Sequence, residues 1–150
     1  MEYSARKISR AKWVKEVFSD DPQDISADAL TGCLRTSGDT LSFWRCDPHH
    51  EDVTEVALAL ATPRVDPLSP RERGKVERID IVLLRNNDLE IEGFTSIASP
   101  GNTCVNDLCD RHIDLTNLTM NKLCSLANRL LQKYDKVVTV IASREGRSYE

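Results

Sequence analysis

The sequence predicts an α/β domain in which helices pack on a small mixed or mainly parallel sheet of about four strands. Three observations predict this class. Predicted helices alternate with predicted strands, the strands are continuous apolar runs, and a helical stretch of about 40 residues before the last strand is ample for a parallel crossover. The 150 residues suit a single domain spanning 1–150. A segregated α+β arrangement is the alternative.

The N-terminal elements are predicted to be helices. Apolar residues at three- and four-residue spacing favour a basic helix over about residues 5–18, with an apolar face of Ile8, Ala11, Val14, Val17 and Phe18. Pro22 prevents its continuation. Asp24 or Ser26 then caps a short second helix whose apolar face is Ala29, Leu30, Cys33 and Leu34.

The next elements are a strand and a helix. Residues 40–46, TLSFWRC, are rich in strand formers, and Pro48 ends this first strand. Glu51 and Asp52 favour a helix start, and the apolar spacing continues to Thr62, before Pro63. Residues 64–75 contain two prolines, a glycine and a basic cluster, and predict a mobile surface loop.

Residues 76–84, VERIDIVLL, end in the most concentrated aliphatic run of the chain and predict a strand buried on both faces. Asp80 interrupts this run, and a buried carboxylate without a hydrogen-bonding partner would be costly. We therefore expect either an edge strand or a salt bridge from Asp80 to Arg78 or another neighbour.

The C-terminal half is predicted to be mainly helical. A turn at residues 86–88 precedes a short helix over 89–93, a short strand over 94–98 and a turn over 99–103. Thr103 then caps a helix with inward-facing residues Val105, Leu108, Cys109 and His112. The strongest helical periodicity covers residues 118–134, and residues 136–142 predict the last strand. The tail, residues 143–150, is expected to be frayed.

Charge is distributed unevenly along a chain of net charge −4. A basic stretch, residues 1–15, precedes an acidic third, residues 16–60, which includes Asp20, Asp21, Asp24 and Asp28. These four carboxylates are the predicted contact for a basic partner protein, as in an inhibitor, an antitoxin-like protein or an immunity partner. Nucleic-acid binding through the basic N-terminal helix is the less favoured reading, because the chain is acidic and contains no nucleic-acid motif.

The cysteines and the hydropathy pattern indicate the compartment. Five cysteines without framework spacing predict reduced, mostly buried thiols. No apolar run approaches the length of a membrane span, and the first residues lack the apolar block of a signal peptide. We therefore expect a soluble cytoplasmic protein that does not bind a membrane.

Two Cys-x-x-His pairs suggest a metal site. The pairs Cys46 with His49 and Cys109 with His112 have the residue types of a tetrahedral zinc site. A structural role is favoured, because His112 and Cys109 fall on the inward side of a predicted helix and nothing in the sequence brings the two pairs together.

A second candidate site lies at the predicted strand ends. It comprises His49, His50, Asp88, Asn102 and Thr103, which follow strands at positions where α/β sheets bind ligands. The favoured interpretation of these five residues is structural: they belong to solvated helix starts and a plain turn, because the sequence reveals no nucleophile or binding partner for them.

The function that these observations favour is non-catalytic protein–protein interaction, as an accessory or regulatory subunit of a cytoplasmic complex, with homo-oligomerisation left open. The reasons are the absence of a catalytic or cofactor motif, the segregated charge and the apolar helix faces. A small ligand-binding or hydrolytic enzyme domain that uses the strand ends is the alternative. Enzymatic activity is not favoured, and no cofactor is expected, with zinc left open.

Overall fold

A computed structural model describes residues 1–13, 26–63, 76–133 and 138–143. Its strands are β1 (Tyr3–Ile8), β2 (Leu41–Cys46), β3 (Val76–Arg85), β4 (Thr95–Ala98), β5 (His112–Thr116) and β6 (Val138–Ser143). Its α-helices are α1 (Ala27–Cys33), α2 (His50–Ala61), α3 (Asn86–Ile91) and α4 (Met120–Lys133). Two 3₁₀ helices cover Arg10–Trp13 and Asn106–Arg111.

These strands form one sheet of six in the order β4-β5-β2-β1-β3-β6, and every neighbouring pair is antiparallel. The prediction of about four strands in a mainly parallel sheet is therefore wrong, and the class is mixed α+β. Continuous apolar runs misled it, because such runs report burial on both faces of a strand and carry no information about strand direction. Helices cover both faces here, so an antiparallel sheet shows the same pattern.

The predicted N-terminal helix over residues 5–18 is wrong where the structure describes it. Tyr3–Ile8 is β1, paired with both β2 and β3, and the 3₁₀ helix Arg10–Trp13 follows. Ile8 lies in β1 and Ala11 in the 3₁₀ helix, so their helical spacing in the sequence is a coincidence. Tertiary pairing with two neighbouring strands outweighs a local periodicity of this kind.

The predicted helix after residue 103 is also wrong. Only the 3₁₀ helix Asn106–Arg111 forms, and the chain then enters β5, which pairs with β2 and β4. In β5, Ile113 and Leu115 are buried and alternate with more polar residues, which is the strand period of two. By contrast, β2, β3, β6, α2 and α4 lie where the sequence predicts them.

Two apolar clusters lie on opposite faces of the sheet. The first packs α1, α3 and α4 against one face, through residues such as Phe43, Val82 and Leu126. The second packs α2 and the 3₁₀ helix Asn106–Arg111 against the other face, through residues such as Trp44 and Ile79. The sheet is thus the middle layer of three.

Asp80 lies in β3, which is an internal strand because β6 pairs on its outer side. Its carboxylate accepts a 2.7 Å hydrogen bond from the Thr139 hydroxyl and lies 3.9 Å from Nε of Arg78. The expectation of a salt bridge to Arg78 is confirmed, and the edge-strand alternative is wrong. The predicted loop 64–75, and the predicted tail beyond Ser143, lie outside the described residues.

Gly101 is buried against the second face of the sheet, and replacing it with alanine is expected to destabilise the protein. A Cβ atom at this position would lie 2.3 Å from Cη2 of Trp44 and 3.1 Å from Cβ of His112. Such overpacking against rigid groups costs about 1–3 kcal/mol. The urea unfolding midpoint of Gly101→Ala should fall accordingly.

Gly32→Ala is the matched control for this substitution. Its Cβ would meet only the side chain of Lys12, with Nζ the nearest atom at 2.7 Å, and the end of this exposed side chain can move. Alanine also favours a helix over glycine by about 1 kcal/mol, so the midpoint should stay unchanged or rise. Equal midpoints for the two variants would contradict the packing argument.

Candidate functional site

The carboxyl ends of β2, β3 and β4 lie at one edge of the sheet. Antiparallel pairing through β1 and β5 directs these three strands the same way. The segments that follow them contain the predicted ligand-binding residues His49, His50, Asp88, Asn102 and Thr103. The predicted strand-end site therefore has one location in the fold, although the sheet is not parallel.

The side chains of this set nevertheless diverge. His49 and His50 are exposed at the start of α2, on the second face of the sheet. Asp88 lies in α3 on the first face, 3.5 Å from Nη1 of Arg129. The sheet separates these two groups, so the set does not converge on one ligand.

The 99–103 turn is held by internal contacts. Thr103 is buried, and its hydroxyl shares a 3.1 Å hydrogen bond with the hydroxyl of Thr62, while Asn102 is exposed. The backbone N–H of Cys104 donates a 2.7 Å hydrogen bond to the carbonyl of Thr62. These bonds fasten the turn to the end of α2, which is the structural role that the sequence analysis favours.

The four predicted zinc ligands occupy different environments. Cys46 is buried in β2, His49 is exposed, and Cys109 lies in the 3₁₀ helix. Nδ1 of His112 is 2.9 Å from Oγ of Ser99. Within the described ranges, no three His, Cys, Asp or Glu side chains are grouped in a way that would hold a metal ion. The geometry thus gives the zinc hypothesis no support.

Cys46 instead belongs to a charged cluster with Asp52 and Arg111. Nη1 of Arg111 donates a 2.8 Å hydrogen bond to Oδ1 of Asp52, and the backbone N–H of Asp47 donates one of 2.7 Å to Oδ2. Burial raises the pKa of the Cys46 thiol to about 12, and the negative charge of Asp52 acts in the same direction. Cys46 is therefore a protonated, unreactive thiol near neutral pH.

Asp52 itself is held in its charged form. Burial alone would raise the pKa of its carboxyl, but the hydrogen bonds from Asp47 and Arg111 and the charge of Arg111 outweigh burial and lower this pKa. The ion pair ties α2 to the 3₁₀ helix, so it orients the two elements that cover the second face of the sheet.

Ser99, His112 and Asp114 form a polar cluster that the sequence analysis missed. Oγ of Ser99 donates a 2.7 Å hydrogen bond to Oδ2 of Asp114 and lies 2.9 Å from Nδ1 of His112. In a hydrolytic triad, the histidine lies between the carboxylate and the serine, whereas here the serine lies between them. This order cannot relay the serine proton through histidine, so the cluster fastens the turn to β5. The alternation of apolar and polar residues within 112–116 was the sequence signal that could have revealed this cluster.

An apolar groove lies between α1 and α4, and we call it the α1–α4 groove. Its volume is about 590 Å³, and it is lined by Leu30, Thr31, Leu34, Arg35, Thr36, Met120, Leu123, Cys124 and Ala127. Met120 is 75% exposed and Leu30 is 36% exposed. Large apolar side chains therefore face solvent on both walls.

The groove arises because the apolar stripe of α4 is wider than the sheet can cover. Leu126 and Leu130 are buried against the first face. Positions 120, 123, 124 and 127 follow the i, i+3, i+4, i+7 pattern and line the groove. The helical periodicity was visible in the sequence, but only the structure shows which apolar residues of α4 contact the sheet and which line the groove.

Of the described residues that line the groove, Arg35 alone is charged. It is exposed, and in the part of the chain that the structure describes no carboxylate pairs with it. Of the predicted acidic contact, Asp28 is exposed on α1, and Asp20, Asp21 and Asp24 lie outside the described residues. The charge bordering the groove is thus positive.

Comparison with known proteins adds no assignment: no family model, no curated protein and no solved structure matches this chain. None of the helices within the described ranges has the length and apolarity needed to cross a membrane.

The contribution of the Asp52 ion pair should depend on pH in a defined direction. A carboxyl whose pKa is lowered by folding stabilises the folded state above its unfolded pKa, about 3.9, and this stability is lost as the pH falls through the folded pKa. Asp52→Asn should therefore lower the free energy of unfolding at pH 7 by about 1 kcal/mol. This value is small for an ion pair because solvent screens the partly exposed side chains of Asp52 and Arg111. The difference from wild type should shrink between pH 4 and the folded pKa.

Denaturant titrations from pH 7 to pH 3 measure this difference. Asp110→Asn removes an exposed carboxylate nearby and should change the free energy of unfolding by less than about 0.5 kcal/mol. A difference between wild type and Asp52→Asn that grows as the pH falls would contradict the assigned role of the ion pair.

The cysteines should differ sharply in their reactivity. Cys124 is exposed, whereas Cys33 and Cys46 are buried. Iodoacetamide at pH 8 should label Cys124 at least about 100-fold faster than Cys46 in the folded protein, because Cys46 is both inaccessible and protonated. Peptide mapping by mass spectrometry after timed quenching measures both rates, with urea-unfolded protein as the control. Comparable rates in the folded protein would refute the placement of Cys46.

Proposed function

We propose that this protein is a non-catalytic interaction module, an accessory or regulatory subunit that docks an amphipathic helix of another protein in the α1–α4 groove. The observation that carries the proposal is the solvent-exposed apolar lining of this groove. Grooves between helices commonly receive the apolar face of a partner helix, whose anchoring residues recur at i, i+3 or i+4 and i+7.

The dimensions of the groove favour a short helix. One wall is the C-terminal end of α1 with the residues that follow it to Thr36, and the other is the first two turns of α4. Two helical turns extend about 11 Å, so a partner helix of roughly two to three turns would fill the groove. Burial of Leu30 and Met120 by such a helix would remove apolar surface from water, which is the main favourable contribution to association.

The charge of the groove favours an acidic partner. Arg35 borders the apolar lining, and among the described residues no Asp or Glu lines the groove. A carboxylate beside the apolar stripe of the partner would pair with this guanidinium, while a lysine there would be repelled. We therefore expect the docked helix to combine aliphatic anchors with at least one Asp or Glu.

A library of displayed 16-residue helical peptides, selected on the purified protein, tests this proposal. Met120→Glu places a charge in the groove at a site 75% exposed, so the fold should persist. Ile91→Glu, equally 75% exposed but on α3, is the matched control. Enriched peptides should carry the aliphatic spacing with an acidic residue, and should bind Met120→Glu at least about tenfold more weakly than Ile91→Glu, measured by fluorescence anisotropy.

Charge reversal tests the acidic requirement separately. Arg35→Glu should weaken the enriched peptides by about fivefold or more, and Arg45→Glu, a reversal at an exposed arginine outside the groove, should change affinity less than twofold. Equal losses in Met120→Glu and Ile91→Glu, or enrichment without a helical spacing, would overturn the proposal. So would a dimer seen in sedimentation that Met120→Glu dissociates, since a second copy would then occupy the groove.

A further inference from the structure

A separate cleft opens where β1 and β2 part. The two strands pair only from Tyr3 to Ala5 and from Trp44 to Cys46. Beyond Ala5, the side chain of Arg6 lies between the strands: its Nη1 donates a 2.6 Å hydrogen bond to the carbonyl of Ser42, and its Nε donates one of 2.7 Å to the carbonyl of Cys33. The guanidinium thus bridges β1, β2 and the end of α1.

The positive charge of Arg6 has no counter-charge in this arrangement. Both acceptors are neutral carbonyls, and in the described part of the chain no carboxylate pairs with the guanidinium. Burial lowers the pKa of Arg6, and the electrostatic interaction with Cys33 only partly opposes this effect. A desolvated cation without an anion is unfavourable, so an anion placed here would be stabilised.

Two more cations line the same cleft. Its volume is about 280 Å³, and its lining includes Lys7, Lys12, the hydroxyl-bearing Ser9 and the apolar ring of Trp44. Among the described residues, no Asp or Glu lines it, and the hydroxyl of Ser42, which also lines it, donates a 3.2 Å hydrogen bond to Asp114. Lys12 extends over Gly32, where an added Cβ would lie 2.7 Å from its Nζ, so the absence of a side chain at position 32 leaves room for the ammonium. We call this feature the β1–β2 cleft.

We propose that the β1–β2 cleft binds the phosphate group of a small phosphate monoester. Arg6, Lys12 and the Ser9 hydroxyl suit a dianion better than a single carboxylate, and among the described residues no group accepts a hydrogen bond from Nη2 of Arg6, which can therefore donate to a phosphate oxygen. The apolar wall accommodates a small organic body. A volume near the lower end for ligand pockets, about 300 Å³, excludes a dinucleotide. This site is independent of the α1–α4 groove.

Isothermal titration at low ionic strength tests the proposal with two probes, inorganic phosphate and ribose 5-phosphate. We expect saturable binding of both, with ribose 5-phosphate the tighter. Lys12→Gln alters an exposed side chain and should weaken both probes by about fivefold. Arg45→Gln removes the same charge from an exposed position outside the cleft and should change affinity less than twofold.

Arg6→Met should abolish binding, and Arg6→Lys should restore part of it. Because Arg6 also bridges two backbone carbonyls, circular dichroism must show that each Arg6 variant is folded, and the loss of affinity in Lys12→Gln tests the proposal if neither variant folds. Equal losses in Lys12→Gln and Arg45→Gln, or no saturation by 20 mM phosphate at constant ionic strength (about the upper limit for a built anion site), would overturn the proposal. Binding of a single-stranded oligonucleotide without binding of ribose 5-phosphate would also overturn it, in favour of a nucleic-acid backbone.

Discussion

The sheet depends on the pairing of β1 with its two neighbours. All six residues of β1 pair with β3, and Tyr3 to Ala5 also pair with β2. On one side of β1 lie β2, β5 and β4, and on the other lie β3 and β6. The residues at the start of the chain therefore hold two halves of the sheet together, and each half alone would expose an unpaired strand edge.

Coverage of this sheet explains where the two proposed binding features lie. Helices pack on both faces, so strands such as β3 bury side chains on both sides. The α1–α4 groove exists because the apolar stripe of α4 is wider than the part of it that contacts the sheet. The β1–β2 cleft exists because only the last three residues of β2 pair with β1, whereas its first four residues pair with β5 alone or, at Trp44, with both strands. Both features are places where neighbouring elements diverge, and neither contains the cysteine and histidine residues that the sequence motifs emphasise.

The candidate site shows why residue types alone mislead. The two Cys-x-x-His pairs have the right spacing for a metal, yet Cys46 is a buried neutral thiol and His112 packs edge-on against Trp44, with ring centroids 5.1 Å apart. Such roles depend on which strands are neighbours. Arg6 shows the same dependence, since a residue expected in a basic N-terminal helix instead lies in β1 and bridges two backbone carbonyls.

The elements whose period is long and consistent could be predicted from the sequence: α2, α4, β2, β3 and β6. The burial of β3 on both faces and the need of Asp80 for a partner could be predicted as well. Strand direction, the central position of β1 and the existence of β5 could not. The physical reason is that strand pairing joins residues far apart in the chain, as Tyr3 joins Arg85, and such hydrogen bonds leave no local periodicity. The two proposed sites could not be predicted from the sequence for the same reason. The α1–α4 groove and the β1–β2 cleft are each lined by residues that only long-range pairing brings together.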